Sequence, residues 1–330
     1  MRALLVAGIL AFSALTVYTQ YVFLHTTDHV TNRPFREASL DQYREILGGT
    51  RPFPYQWRVA GPWIVRLGEV ATGRDPHVID LVVKVIALAA SALLLFAFTT
   101  LWATRLAAVM AAAFYFALTA AAYSSEGYSI YCTNDFLLVA GWFAAVYLAA
   151  RGRFGWAALA TFLTAWAKET AVLVPLLVGL GWWRGRARFV DVLIIALAFA
   201  VPTAILRVHY PAPLHDWAWW GNVTLNIPLL RPERSYVWMA IRDNLKIALL
   251  FNVLWIFAYL GWRRTTNPFL RELAIVGVLY TALLYVVVVI RELRHFLPLA
   301  IVVIPLAVSE IEARLQDAAP SRGRELDVHV

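Results

Sequence analysis

Long apolar runs alternate along the chain with short clusters of arginine, proline and aromatic residues. A helix that crosses a bilayer needs about 20 consecutive apolar residues, and most of the runs approach that length. The pattern therefore predicts an all-α, polytopic integral membrane protein with about ten membrane helices. These helices are expected at residues 3–24, 79–101, 106–123, 135–150, 155–167, 170–183, 189–208, 244–262, 272–290 and 296–311.

One apolar run, from Gly155 to Trp183, contains the adjacent charged residues Lys168 and Glu169 near its middle. Ionisable side chains are costly in hydrocarbon, so a charge within a membrane segment marks a functional site by default. We predict two short helices here, each about 20 Å long at a rise of about 1.5 Å per residue. Lys168 and Glu169 would then lie at the water-facing tip of a hairpin that enters the bilayer.

Residues 25–78 form a long segment between the first two membrane helices and contain two amphipathic patterns. Apolar residues recur at helical spacing over 38–48, with Ser39 as the predicted N-cap and Gly48 as the predicted stop. A second amphipathic helix is expected over residues 62–71. Helices of this kind lie in the membrane interface, where these two would wall a groove open to the lipid.

The distribution of arginine predicts the orientation. Short loops on one side of the membrane are rich in arginine, and the positive-inside rule makes that side cytoplasmic. Both termini are then cytoplasmic, the first helix is retained as an anchor, and the main outer loops are 25–78 and 209–243. We expect one transmembrane domain over 1–312 and a short polar cytoplasmic tail over 313–330. The arginines that set this orientation are Arg105, Arg151, Arg153, Arg184, Arg186, Arg188, Arg263 and Arg264.

Basic residues are also abundant on the predicted extracytoplasmic face, where topology does not require them. An anionic ligand explains them, because the arginine fork matches the oxygens of a phosphate. Ion pairs with glutamates on the same face are the alternative. The net charge of +8 at pH 7 is met most simply by lipid phosphate, and we expect no nucleic-acid partner. The basic residues concerned are Arg33, Arg36, Arg44, Arg51, Arg58, Arg66, Arg74, Arg231, Arg234, Arg242, Lys246, Arg291 and Arg294.

Metal chemistry has little support in the sequence. The single cysteine, Cys132, excludes an intramolecular disulfide and disfavours a cysteine-based metal site. The seven histidines show no spacing typical of zinc ligands. We therefore predict no metal-binding residues.

Five short motifs follow one another along the chain and share the predicted extracytoplasmic face. They are Asp41-Gln42-Tyr43; Tyr55 with Arg58-Val59 and Pro62-Trp63; Thr133 with Asp135; Lys168-Glu169-Thr170; and Glu292 with Arg294 and Pro298. In their order and sidedness they resemble the GT-C superfamily of polytopic membrane glycosyltransferases, and the resemblance spans most of the chain. It implies a GT-C-like fold and the use of a polyprenyl-phosphate sugar donor.

The resemblance also implies a catalytic carboxylate in the first outer loop. Asp41, which precedes a tyrosine on the amphipathic helix, is the first candidate and Asp28 is the second. Glu126 and Asp135 are further candidates, and an ordinary solvated charge is the alternative for Asp41. Such a carboxylate would take the proton of the attacking sugar hydroxyl, which is a poor nucleophile at neutral pH.

The remaining site residues follow from the same chemistry. Polyprenyl phosphate leaves as an anion, so the reaction needs cations where that charge develops. The predicted ligands of the donor phosphate are Lys168, Arg294, Arg58 and Arg291. The residues predicted to bind the sugar or the acceptor are Asp135, Glu126, Tyr43, Glu169 and Glu292. For Asp135, an ordinary place at the start of a helix is the alternative.

We therefore expect an inverting glycosyltransferase that moves a sugar from a polyprenyl-phosphate donor to a glycan, lipid or protein acceptor. Its expected location is a bacterial cytoplasmic membrane, with the active site at the extracytoplasmic face. Some GT-C enzymes use a divalent cation, but a monophosphate donor does not require one. The alternative is a transporter or flippase of a lipid-linked or anionic solute. Broken helices in two similar halves are typical of transporters, and the sequence shows one charged hairpin without a counterpart.

Overall fold

The computed structural model of the protein describes residues 2–24, 27–28, 33–50, 57–124, 133–210, 219–227, 230, 233–288, 290 and 292–318. This part of the chain is built almost entirely from helices, with one two-residue antiparallel pairing between β1 (Thr27–Asp28) and β2 (Arg33–Pro34). The helices are α1 (Arg2–Leu24), α2 (Phe35–Leu47), α3 (Ala60–Thr72), α4 (Pro76–Thr99), α5 (Arg105–Ser124), α6 (Thr133–Ala150), α7 (Phe154–Ala165), α8 (Leu173–Trp183), α9 (Phe189–His209), α10 (Trp219–Asn226), α11 (Arg234–Phe251), α12 (Leu254–Arg264), α13 (Pro268–Val287) and α14 (Ala300–Ala318). Two 3-10 helices, Glu169–Val172 and Leu293–Leu299, precede α8 and α14.

Six helices of the described chain are long and apolar enough to cross a membrane. They are α4, α5, α6, α9, α13 and the continuous segment Leu293–Ala318. These helices indicate an integral membrane protein and confirm the all-α class. Each of the predicted segments coincides with helical structure. Ala3–Thr19 within α1, Phe154–Ala165 and Glu169–Trp183 are shorter apolar helices, and the α11–α12 pair is bent.

The segment predicted over 244–262 is not one straight helix. Helices α11 and α12 meet at an angle of 62°. Asn252 forms the break, with a φ of 45° that non-glycine residues rarely adopt. After the break, α12 packs closely on α14. A Cβ at Gly261 would clash with the carbonyl oxygen of Leu306, so glycine is required for this approach.

The amphipathic patterns in residues 25–78 correspond to α2 and α3. Helix α2 begins at Phe35, so the predicted N-cap is wrong. Ser39 lies inside the helix, and its hydroxyl donates to the carbonyl oxygen of Arg36 at 3.0 Å. The helix ends where predicted, at Gly48, and Gly49 follows with a φ of 70° that favours glycine.

Loops at one end of the bundle are joined by ion pairs and hydrogen bonds. Arg186, between α8 and α9, pairs with the buried carboxylate of Glu272 on α13. The backbone nitrogen of Thr104, between α4 and α5, donates to Glu312 on α14 at 3.1 Å. Because the arginine-rich loops lie at this end, we call it the basic end of the bundle.

At the opposite end, α7 and α8 form the predicted hairpin of two short helices. Helix α7 packs tightly on α6, where a Cβ at Gly141 would clash with the hydroxyl of Thr164. Lys168 at the tip is only 2% exposed, so its predicted water-facing position is wrong. It is buried because the start of α6 and the segment before α14 both contact it.

The predicted tail and second outer loop are only partly described. Helix α14 continues to Ala318, six residues past 312, and residues 319–330 lie outside the described part. In the predicted loop 209–243, α10 occupies residues 219–226 and α11 begins at residue 234.

Candidate functional site

The first turn of α6 carries three consecutive buried polar residues, Thr133, Asn134 and Asp135. Successive residues of an α-helix point about 100° apart, so each of these side chains faces a different neighbour. Asn134 holds the chain before α3: its Nδ2 donates to the carbonyl oxygen of Arg58 at 2.7 Å, and its Oδ1 accepts from the backbone nitrogen of Gly61 at 2.8 Å. The start of α6 is therefore a junction between several elements.

Asp135 binds two cations that come from different elements. Its Oδ1 lies 2.6 Å from Nζ of Lys168 at the hairpin tip. Its Oδ2 lies 3.0 Å from Nε of Arg294, in the 3-10 helix before α14. One carboxylate thus joins α6, the α7–α8 hairpin and the segment that leads into α14.

His295 and Glu292 extend these contacts. The Nδ1 atom of His295 lies 2.8 Å from Nζ of Lys168, and its Nε2 lies 2.9 Å from the Glu292 carboxylate. Since the ammonium group can only donate, Nδ1 accepts, and the ring proton is assigned to Nε2, which donates to Glu292. Glu292 also accepts a hydrogen bond of 2.6 Å from Arg294.

The surroundings of Glu292 favour its ionised form. Burial alone would raise the pKa of this carboxyl, but the hydrogen bond from His295 and the positive charge of Arg294 outweigh that effect. The pKa of Glu292 is lowered from 4.5 to about 2. The carboxylate is therefore negative at neutral pH and able to hold Arg294.

Arg58 and Glu169 form the remaining ion pair of this region, with the guanidinium 2.8 Å from the carboxylate. Three cations and three carboxylates therefore meet, and their formal charges cancel. We refer to these six residues and His295 as the charge network. The six are Arg58, Lys168, Arg294, Asp135, Glu169 and Glu292.

The structure thus brings six of the predicted site residues together. Arg58 precedes α3, and the other five come later in the chain: Asp135, Lys168, Glu169, Glu292 and Arg294. Each predicted phosphate ligand in the described chain is held by a carboxylate. A lysine has three N–H groups and an arginine has five. A phosphate at this place would share these donors with the carboxylates.

A second buried polar cluster lies on the other side of Thr133. Asp80 pairs with Lys84 one helical turn further along α4, at 2.6 Å. Tyr43 of α2 donates to Asp80 at 2.6 Å, and the hydroxyls of Tyr43 and Thr133 lie 2.7 Å apart. We call these four residues the Asp80 cluster. It links α2 to the membrane helices, and the predicted sugar-binding residue Tyr43 points into it.

The Asp80 cluster was missed by the sequence analysis, although a signal for it was present. Asp80 and Lys84 stand four residues apart in an otherwise apolar helix, which is the spacing of an intrahelical ion pair. Charges within a membrane segment are also candidate functional residues. The sequence could not indicate that Tyr43 and Thr133 would complete the cluster, because both come from distant parts of the chain.

The two candidate catalytic residues lie in different elements, Asp41 in a helix and Asp28 in a short strand. Asp41 lies on α2 with its side chain 36% exposed, and its carboxylate is 3.4 Å from the guanidinium of Arg44. Asp28 is the second residue of β1, and its backbone pairs with Arg33. Glu126 and Arg291 lie outside the described residues.

An apolar groove of about 730 Å³ is lined by residues that neighbour members of the charge network in the sequence. Its walls come from α3, α6, α7 and α9, so one of the predicted amphipathic helices does line a groove. Val59, which follows Arg58, and Trp166, which is two residues before Lys168, belong to the lining. Hydrocarbon-lined space and buried charge therefore adjoin at this end of the bundle.

Comparisons with protein-family models, with curated proteins and with solved structures gave no significant match to the chain. In the part of the chain that the structure describes, no group of three or more His, Cys, Asp or Glu side chains is arranged to hold a metal ion. The chemistry of the protein's own residues is therefore the basis for proposing a function.

Proposed function

We propose that the protein is a membrane glycosyltransferase that moves a sugar from a polyprenyl-phosphate donor to a glycan, lipid or protein acceptor. The observation that carries this proposal is that residues lining the apolar groove are close sequence neighbours of the charge network: Val59 follows Arg58, and Trp166 is two residues before Lys168. A donor of this class has a hydrocarbon chain, an anionic phosphate and a hydroxyl-rich sugar. The groove suits the chain, and the adjoining charged side chains suit the phosphate and the sugar.

The proposed fold is GT-C-like, with about ten membrane segments when the two helices of the α7–α8 hairpin and the bent α11–α12 pair are included. The arginine-rich basic end is proposed to face the cytoplasm of a bacterium. The charge network would then lie at the extracytoplasmic side, where it meets donors whose sugar has already crossed the membrane.

In the proposed reaction, a hydroxyl oxygen of the acceptor attacks the anomeric carbon as the bond from that carbon to the phosphate oxygen breaks. The hydroxyl proton passes to a carboxylate, for which Asp41 and Asp28 are the candidates. Polyprenyl phosphate leaves as an anion, and Lys168, Arg294 and Arg58 stabilise its charge. A single displacement of this kind inverts the anomeric configuration.

Asp135 has a positioning role in this proposal. It fixes Lys168 and Arg294 on either side of one carboxylate, so both cations are in place before the phosphate arrives. Cations and hydrogen-bond donors that need no rearrangement at the moment of reaction are the most effective in stabilising developing charge.

The proposal is tested by measuring transfer of radiolabelled sugar from a panel of polyprenyl-phosphate monosaccharides by the purified protein in lipid. We expect turnover by the wild type and its loss in either Asp41→Asn or Asp28→Asn, with donor binding retained in the inactive variant. Glu69→Gln, which removes an exposed carboxylate paired with Arg66, is the matched control and should remain active.

Transport of a lipid-linked solute is the second candidate, because the bent α11–α12 pair resembles the discontinuous helices of transporters. The same preparations distinguish the two functions. Absence of transfer from every donor, combined with movement of intact lipid between leaflets, would contradict the glycosyltransferase proposal and favour transport.

A further inference from the structure

Arg207 differs from the cations of the charge network in having no anionic partner among the residues that the structure describes. It lies in the last turn of α9, and its side chain is exposed. No ion pair or hydrogen bond joins its guanidinium to another residue in the described part of the chain. Its guanidinium lies over the ring of Trp57, with the ring centroid 5.1 Å from the guanidinium carbon.

Trp57 is itself held in place. Its indole nitrogen donates to the carbonyl oxygen of Tyr210 at 3.0 Å, and the backbone nitrogen of Tyr210 donates to Leu206 at 2.8 Å. A cation over an aromatic face is attracted by the ring, while its N–H groups remain available to an anion. The contact therefore positions Arg207 without neutralising its charge.

Arg207 stands at the rim of the apolar groove. Leu206 and His209, its neighbours on α9, and Tyr210, which directly follows α9, all line that groove. Trp57 and Arg58 are consecutive, so their Cα atoms lie about 3.8 Å apart. Trp57, which contacts Arg207, is thus followed directly by Arg58 of the charge network.

We propose that Arg207 is a binding residue for the phosphate of an isoprenoid phosphate whose chain occupies this groove. The lipid class rests on the proposed function, whereas the need for an anion rests on the unneutralised arginine beside hydrocarbon-lined space. A monoester phosphate carries a charge of about −1.5 to −2. It therefore complements a free guanidinium better than the single charge of a phospholipid diester does.

The test measures binding of an isoprenyl monophosphate to the full-length protein in nanodiscs of zwitterionic lipid. A hydrogen-bonded charge pair is typically worth a tenfold change in affinity or more. We therefore expect Arg207→Gln to weaken binding about tenfold or more, and Arg207→Lys to recover part of the loss. Arg74→Gln is the matched control, since Arg74 is another exposed arginine between α3 and α4, and it should leave affinity unchanged.

Two further ligands keep the result interpretable. The corresponding uncharged isoprenol should bind wild type and Arg207→Gln equally, which also shows that the variant keeps its groove. Equal affinity of Arg207→Gln and wild type for the phosphate would overturn the inference. Equally effective competition by phosphatidylglycerol would also overturn it, because the site would then accept any anionic lipid.

Binding and catalysis can fail separately in this design. Arg207-dependent binding of the isoprenyl monophosphate without sugar transfer would support the inference while contradicting the proposed function. Sugar transfer that is unaffected in Arg207→Gln, together with unchanged phosphate affinity, would contradict the inference alone.

Discussion

At the scale of single residues, Asp135 is the centre of the candidate site because it holds one cation from each of two other elements. Removing one partner of a buried ion pair leaves an uncompensated charge, which is far more costly than losing an exposed pair. The same carboxylate therefore serves the stability of the fold and the placement of the proposed phosphate ligands.

We expect Asp135→Asn to destabilise the protein by about 3–5 kcal/mol, since it leaves Lys168 and Arg294 with less compensating charge in a buried place. Asp41→Asn, which removes the charge of an exposed ion pair with Arg44, should lower the free energy of unfolding by about 0–1 kcal/mol. The measurement is thermal unfolding in detergent, followed by tryptophan fluorescence.

A second variant separates charge compensation from simple loss of packing. The double substitution Asp135→Asn/Lys168→Gln should be more stable than Asp135→Asn alone, because it removes one of the two cations left behind. Equal unfolding temperatures for Asp135→Asn and Asp41→Asn would contradict the assignment of Asp135 as the centre of the network.

At the scale of elements, α10 positions the segment that carries three members of the network. Asn226 of α10 donates to the carbonyl oxygens of Tyr285 and Val288 at 2.9 and 2.7 Å, and accepts from the backbone nitrogen of Ile290 at 3.1 Å. These bonds satisfy the backbone groups left open where α13 ends. The chain that follows then places Glu292, Arg294 and His295 against α6.

We expect Asn226→Ala to loosen the backbone at Val288 and Ile290, because it leaves two carbonyl groups and one N–H group without their partner. The measurement is hydrogen exchange of the purified protein, in which the Ile290 amide should exchange at least tenfold faster. Asn222→Ala on the same helix is the control. Equal protection of the Ile290 amide in all three proteins would show that α10 does not hold this segment.

Much of the element structure could be predicted from the sequence, because periodicity reports which face of a helix is apolar. It located α2, α3 and the two helices around Lys168. The break at Asn252 and the true start of α2 were not predictable in this way, since both depend on backbone conformation and on neighbours distant in sequence. For the same reason, the burial of Lys168 could not be predicted from its position at a hairpin tip.

At the scale of the whole molecule, the sequence places the charges on one face but does not show which of them pair. Arg58 with Glu169 and Lys168 with Asp135 are contacts over long sequence separations. Short motifs and sidedness brought these residues together as a set. The geometry of the set, and its position beside a groove, depend on how α3, α6, α7 and α9 pack.

The molecule also offers an internal comparison for the groove. A second apolar groove of about 790 Å³ lies between α1 and α5, and the described residues that line it include no charged side chain. Both grooves are apolar, but of the two only the first is lined by close sequence neighbours of the charge network. A lipid that binds by its chain alone would use either groove, whereas a lipid phosphate should select the first.

The most direct test of the account is therefore photo-crosslinking with a polyprenyl-phosphate sugar that carries a diazirine in its isoprenoid chain. We expect the label on α6, α7 and α9 beside the network, with its loss in the presence of excess unlabelled donor and a marked decrease in Lys168→Gln. Equal labelling of the α1–α5 groove, or labelling that neither competitor nor substitution changes, would contradict the claim that groove and network form one substrate site.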